Sequence, residues 1–359
     1  MGDFDIQHST FDNRLLSIDN PAVLPMLSNR ILSVLQLTRM ALVFTAIADG
    51  WCGLLLLTRQ QVGPGQVTLD QVGVSTLLLV AGISVGLYGF GMSPNDLIDR
   101  RRDAAIAAHR PLPSGRISPA AAQLLCILLL GFAVLCGAIY SQRAPIGWLS
   151  LVLVVFTSML IVFYDLAGKY LVAPGLITLG LIRFFHSVIA APQMPVLWHP
   201  LLLLDHVAIV SMIAYAWEEK RPAITRRQVW LVIGGVVLLN AMVIGLVFWH
   251  RREYMPAAAA LRLEPGLIFP VIALLSYYVL AQLIRLRAPT IRHAGQRLIF
   301  FGLLWLIVYD AAFVAGYVSL EWAIAIAMLL PLAYLCVLMM RWWSTVVALS
   351  QRPAFKRAE

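Results

Sequence analysis

Residues 95–115 read NDLIDRRRDAAIAAHRPLPSG, with three carboxylates and five basic side chains set against an apolar background. On an α-helix, at about 100° per residue, Asp96, Asp99 and Asp103 fall within a stripe roughly 60° wide. Like charges on one face repel, so a partner has to offset them. Hard carboxylate oxygens suit Mg²⁺, which keeps several waters and bridges substrate phosphates. Arg100 flanks the stripe, whereas Arg101 and Arg102 turn away from it. Just upstream stand Gly89, Gly91 and Pro94. Proline removes a backbone hydrogen bond, so the helix delivering these acids is expected to bend or break there.

Outward from this stretch the chain is almost all apolar. Of 359 residues, 60% are hydrophobic and 13% charged, with a mean hydropathy of +0.83. Soluble domains carry about 25% charged residues. Apolar runs of about 20 residues, the length that crosses a bilayer as a helix, recur at 31–57, 73–93, 119–141, 146–164, 171–191, 200–217, 229–249, 266–284, 298–318 and 322–341. The fold class is therefore an all-α polytopic membrane protein, a bundle of nine to ten transmembrane helices; nine if the last two runs form one broken helix. Residues 1–30 read as a loosely ordered arm, 31–343 as the membrane domain and 344–359 as a basic tail. No cleavable signal peptide is visible before the first apolar run. Cys52, Cys126, Cys136 and Cys336 lie in apolar segments without CxxC spacing, and read as packing residues.

Loop charge sets the orientation. With the N-terminus inside, twenty Lys and Arg fall on the cytoplasmic side and five on the other. Residues 95–115 and the WEEKRP segment at 217–222 then share the cytoplasmic face of the plasma (inner) membrane. This segregation argues for a membrane surface and against nucleic acid as the partner of the +9 net charge.

The pattern Asn95-Asp96-x-x-Asp99-x-x-x-Asp103, followed by His109-Arg110-Pro111-Leu112-Pro113-Ser114-Gly115, resembles the first signature of the UbiA superfamily of intramembrane prenyltransferases. There, NDxxDxxxD and NRPLPSG lie between the second and third spans. The resemblance implies a helical bundle around a central cavity open to the cytoplasmic side. It also implies Mg²⁺ held by Asn95, Asp99 and Asp103 on an isoprenyl diphosphate, Asp96 supporting them, and Arg110 as a diphosphate or structural contact. Tyr164 and Lys169, in YDLAGK after the fourth span, match a family tyrosine that faces the forming cation and a lysine that contacts diphosphate. The spacing here is five where four is usual, and Asp165 is the alternative. The family's second aspartate-rich motif, DxxD or DxxED, is incomplete: Glu218 and Glu219 could ligate a second metal, or Lys220 or Arg221 could replace it.

Charges inside spans are costly and face the bundle interior. Arg39 and Asp49 lie in the first span, Arg183 in the fifth and Asp310 in the ninth. Arg183 and Asp310 each lie about 13 residues from the inner end, roughly 20 Å deep, so they are expected to pair or to line the cavity. His186 shares the face of Arg183 and reads as packing. The implied activity is Mg²⁺-dependent transfer of a polyprenyl group to an aromatic or other lipophilic acceptor among membrane lipids. The alternative is a protein of this fold that binds or moves an isoprenoid lipid without turnover.

Overall fold

In lipid every backbone N–H and C=O must be satisfied within its own segment, so apolar runs of this length become helices. The structure is a computed structural model that describes residues 23–59, 68–106, 110–144, 147–220, 222–251 and 264–350. Among these residues there are twelve α-helices and no strand: α1 (Val23–Leu37), α2 (Phe44–Leu57), α3 (Val74–Ile106), α4 (Pro119–Ser141), α5 (Gly147–Leu166), α6 (Val172–Val188), α7 (Trp198–Trp217), α8 (Arg226–Arg251), α9 (Ile268–Arg287), α10 (Ile291–Tyr317), α11 (Leu320–Ala327) and α12 (Leu329–Ser350).

Nine stretches among the described residues are long and apolar enough to cross a membrane, with α11 and α12 together forming one. The remaining expected span, α6, has only 17 residues. Consecutive helices pack side by side from α2 to α8, and α10 closes the bundle by packing on α2, α7 and α9. The span Met40–Leu57 is 72% buried, whereas Arg226–Trp249 is 17% buried, so α2 is central and α8 peripheral. Peripheral helices turn large apolar side chains outward, as Leu124, Ile127, Leu128 and Leu135 do on α4.

Small residues let α3 approach α4. A Cβ added at Gly86 would meet Ala133 Cβ at 2.7 Å, and one at Gly82 would meet Cys136 Sγ at 2.7 Å. This is the small-xxx-small device of membrane helices.

Several expectations are corrected. The first apolar run is two helices, not one. Arg39 adopts φ 47° and ψ 38°, while Thr38 donates its hydroxyl to the Val34 carbonyl at 2.8 Å, so α1 ends before α2 begins. Residues 23–30 belong to α1 rather than to a loose arm, and 344–350 belong to α12; 1–22 and 351–359 lie outside the described residues. Nor does α3 break at Pro94. It continues for 33 residues, about 50 Å, with Pro94 inside it. The missing proline N–H removes one hydrogen bond, and α3 packs on α2, α4 and α5. Beyond a hydrocarbon layer of about 30 Å, the end of α3 carries the acidic stripe out on helix rather than on loop.

Candidate functional site

The acidic stripe splits between two sets of cations. Lys169 Nζ lies 2.9 Å from Asp99 Oδ1 and donates to Asn95 Oδ1 at 3.2 Å. Arg110 Nη1 lies 2.5 Å from Asp103 Oδ2 and 3.8 Å from Asp96 Oδ1, and Arg39 Nη2 reaches Asp96 Oδ1 at 3.4 Å. Asp96 and Asp103 are buried; Asn95 and Asp99 are half-buried. Asn95 and Asp99 form one edge of the stripe, and Asp96 and Asp103 the other. Arg100 does not join them: it is exposed, and its guanidinium donates to its own Leu97 carbonyl at 3.3 Å.

Local structure delivers each cation. After α3 the segment from Arg110 folds back on itself, with Ser114 N–H donating to the Arg110 carbonyl and Ile117 N–H to the Pro111 carbonyl. Gly115 takes φ +72°, which a side chain would strain. Leu112 and Ile117 plug a small apolar cluster with Leu37 and Ala122, which anchors the turn and aims Arg110 at the acids. Ser118 then caps α4, accepting from Ala121 N, with Pro119 at its first position. His109 lies outside the described residues.

Lys169 reaches the site because α5 stops. The helix ends at Leu166, Ala167 leaves helical geometry at φ −132°, and a 3-10 turn over Gly168–Tyr170 turns Lys169 back toward α3. The five-residue spacing from Tyr164 is therefore not a helical register. Tyr164, in the last turn of α5, is half-buried within electrostatic reach of Asp99 and Arg39.

After α7, the carboxylate of Glu218 is engaged by Lys220 at 3.1 Å. Glu219 is exposed at φ 52°, off the helix, and Arg221 lies outside the described residues.

The intramembrane charges form a second cluster, and of the two arrangements expected for Arg183 and Asp310 the direct pair is not formed. Arg183 Nη1 lies 2.6 Å from Asp49 Oδ2, and Nη2 donates to Thr45 Oγ1 at 2.9 Å. Asp310 Oδ1 lies 2.7 Å from His199 Nε2, a partner that the sequence reading missed because it sits at the mouth of α7. His186 is buried beside this pair, its Nδ1 3.6 Å from Asp49 Oδ2 and without a hydrogen-bond partner. The break after α1 leaves Arg39 outside α2, where it reaches Asp96 at 3.4 Å. Cys52, His199 and Asp310 are buried, with ligand atoms within 4.8 Å of one another. The 2.7 Å His199–Asp310 separation is a hydrogen bond; tetrahedral ligands about 2.0 Å from one zinc ion stand about 3.3 Å apart.

Beside Arg39, a groove of about 310 Å³ runs between α1, α10 and α12, walled by Leu42, Phe300, Val337 and Met340, with Arg341 at its rim.

Residues 50–305 match the UbiA prenyltransferase family. The chain belongs to that family. Its fold is similar to a solved structure that addresses the biosynthesis of digeranylgeranylglyceryl phosphate synthase in membranes, at 18% identity and TM-score 0.53 over 80% of this chain and 99% of that one. A UbiA homolog from Aeropyrum pernix K1 also matches, at 18% identity and TM-score 0.47, over 76% of this chain and 97% of that one. No curated protein matches the chain. The UbiA membership makes this an integral, multi-pass membrane protein of the prenyltransferase class.

Proposed function

We propose that this UbiA-family chain transfers a prenyl group from an isoprenyl diphosphate to an aromatic or other lipophilic acceptor, with Mg²⁺ at the acidic stripe and the reaction at the cytoplasmic face of the plasma membrane. The observation that carries this reading is the convergence of Asn95 Oδ1 and Asp99 Oδ1 on a single cationic point, the Lys169 ammonium, at 3.2 and 2.9 Å. Two hard oxygens turned toward one cation are the donor type that Mg²⁺ takes. Mg²⁺, when bound, neutralises charge that builds on the departing diphosphate.

The chain's own residues do the rest. Lys169, Arg110 and Arg39 would exchange their carboxylate partners for diphosphate oxygens, which frees Asp96 and Asp103 to join Asn95 and Asp99 around the ion. These cations then stabilise the leaving group where charge develops. The carbon–oxygen bond breaks with its electron pair leaving on diphosphate, and the allylic cation left behind faces the Tyr164 ring. The acceptor's electron pair forms the new bond, and its proton leaves. An apolar chain would lie along the groove beside Arg39.

Purified protein with radiolabelled geranylgeranyl diphosphate, Mg²⁺ and candidate acceptors should release diphosphate, and Asp99→Ala should abolish that release. The engaged Glu218 and the exposed Glu219 favour one other reading, an isoprenoid-lipid binder. Tight binding of the diphosphate with no release at any Mg²⁺ concentration would select it.

A further inference from the structure

After α7 the acidic motif is reduced to Glu218 and Glu219. There Glu218 is held by Lys220 at 3.1 Å, and Glu219 is exposed in left-handed backbone at φ 52°. A different carboxylate has the right surroundings. Asp165 sits in the last turn of α5, between Tyr164 and Lys169, and is 2% exposed. Its Oδ2 has no hydrogen-bond partner. The charged groups within its electrostatic reach are Lys169, Asp99, Arg39 and Asp96, which are those of the site itself. Lys169 lies four residues away, yet its ammonium is committed to Asp99 and Asn95 instead.

A buried carboxylate with an open oxygen is costly unless a cation completes it. The neighbouring cations already serve other acids, and a diphosphate would draw them away further. What remains is an unpartnered, buried carboxylate oxygen on a second helix, within electrostatic reach of Asp99 and Asp96. Resting on the diphosphate reading above, we propose that Asp165 is a ligand of a second divalent cation on the bound diphosphate and replaces the missing acidic motif after α7. The site then draws its metal oxygens from α3 and α5.

The test uses Mn²⁺ as the probe, with inorganic pyrophosphate and the full-length protein in nanodiscs, and counts bound ions by electron paramagnetic resonance. The unsubstituted protein should take up a second Mn²⁺ when pyrophosphate is present. Asp165→Asn should lose it or bind it ~10-fold or more weakly, while Glu218→Gln with Glu219→Gln should keep it. Asp165→Cys should lose Mn²⁺ at that position and, when Cd²⁺ is supplied, gain one bound Cd²⁺ counted by elemental mass spectrometry, because thiolate prefers soft metals. A residue that only holds α5 in place would not switch metal preference, so this variant decides the matter even where Asp165→Asn folds poorly. Retention of the second Mn²⁺ by Asp165→Asn, or its loss in the Glu218/Glu219 variant, would overturn the assignment. Failure of the unsubstituted protein to take up any Mn²⁺ with pyrophosphate would overturn the diphosphate reading itself.

Discussion

Lys169 is the residue on which the two halves of the site meet. Its ammonium bridges Asn95 and Asp99 from a 3-10 turn, with its side chain only 12% exposed. Lys169→Met should weaken pyrophosphate binding ~10-fold or more, since a charge-assisted hydrogen bond is worth about 1.5–3 kcal/mol. Calorimetric titration with Mg²⁺ present would check it, and unchanged affinity would remove Lys169 from the site. The acids of this stripe were legible because residues 95–115 put charge in an apolar chain at helical spacing. Lys169 was harder to assign, since the five-residue offset from Tyr164 conflicts with a helix until the end of α5 at Leu166 is known. The division of the stripe between Lys169 and Arg110 was not legible at all, because it depends on where the segment after α3 folds back. Leu112 sets that position by packing with Leu37 and Ile117.

At the scale of helices, two contacts hold the bundle that presents the site. Gly86 leaves room for Ala133 and the Leu129 carbonyl, each of which an added Cβ would meet at 2.7 Å. Overpacking a helix contact of this kind costs about 1–3 kcal/mol, so Gly86→Leu should lower the melting temperature in detergent by several degrees; an unchanged melt would contradict the close approach. The second contact is ionic. Arg183 meets fully buried Asp49 at 2.6 Å, joining α6 to α2. Arg183→Met should destabilise by about 3–5 kcal/mol, because it leaves a buried carboxylate uncompensated. Arg183→Met combined with Asp49→Asn should recover most of that loss, and additive losses in the double variant would rule the pair out. Position along their spans put Arg183 and Asp310 at similar expected depth, but depth is one coordinate of three. The order of helices around the bundle gave Arg183 to Asp49 and Asp310 to His199. Helix breaks were misjudged in the same way. Pro94 marked a bend or a break, and α3 runs through it unbroken, whereas the break at Arg39 carries no proline or glycine to announce it.

At the scale of the molecule, hydropathy alone showed a multi-pass helical protein, because lipid leaves the backbone so few alternatives. It also located ten apolar segments, of which α6 is too short to count among the nine clear spans. Which end faces the cytoplasm rests on the asymmetry of Lys and Arg between loops. With Cys336 replaced by serine, a cysteine placed at exposed Ser114 should resist a membrane-impermeant maleimide in intact cells and react in inverted vesicles; the reverse would invert the topology. The most direct test of the diphosphate site is an electron-microscopy structure with Mn²⁺ and geranylgeranyl thiolodiphosphate, an uncleavable analogue. Density for the ion should lie between Asn95 and Asp99, with Lys169 moved onto a diphosphate oxygen. Lys169 still bridging Asn95 and Asp99, with the analogue seated elsewhere, would contradict it.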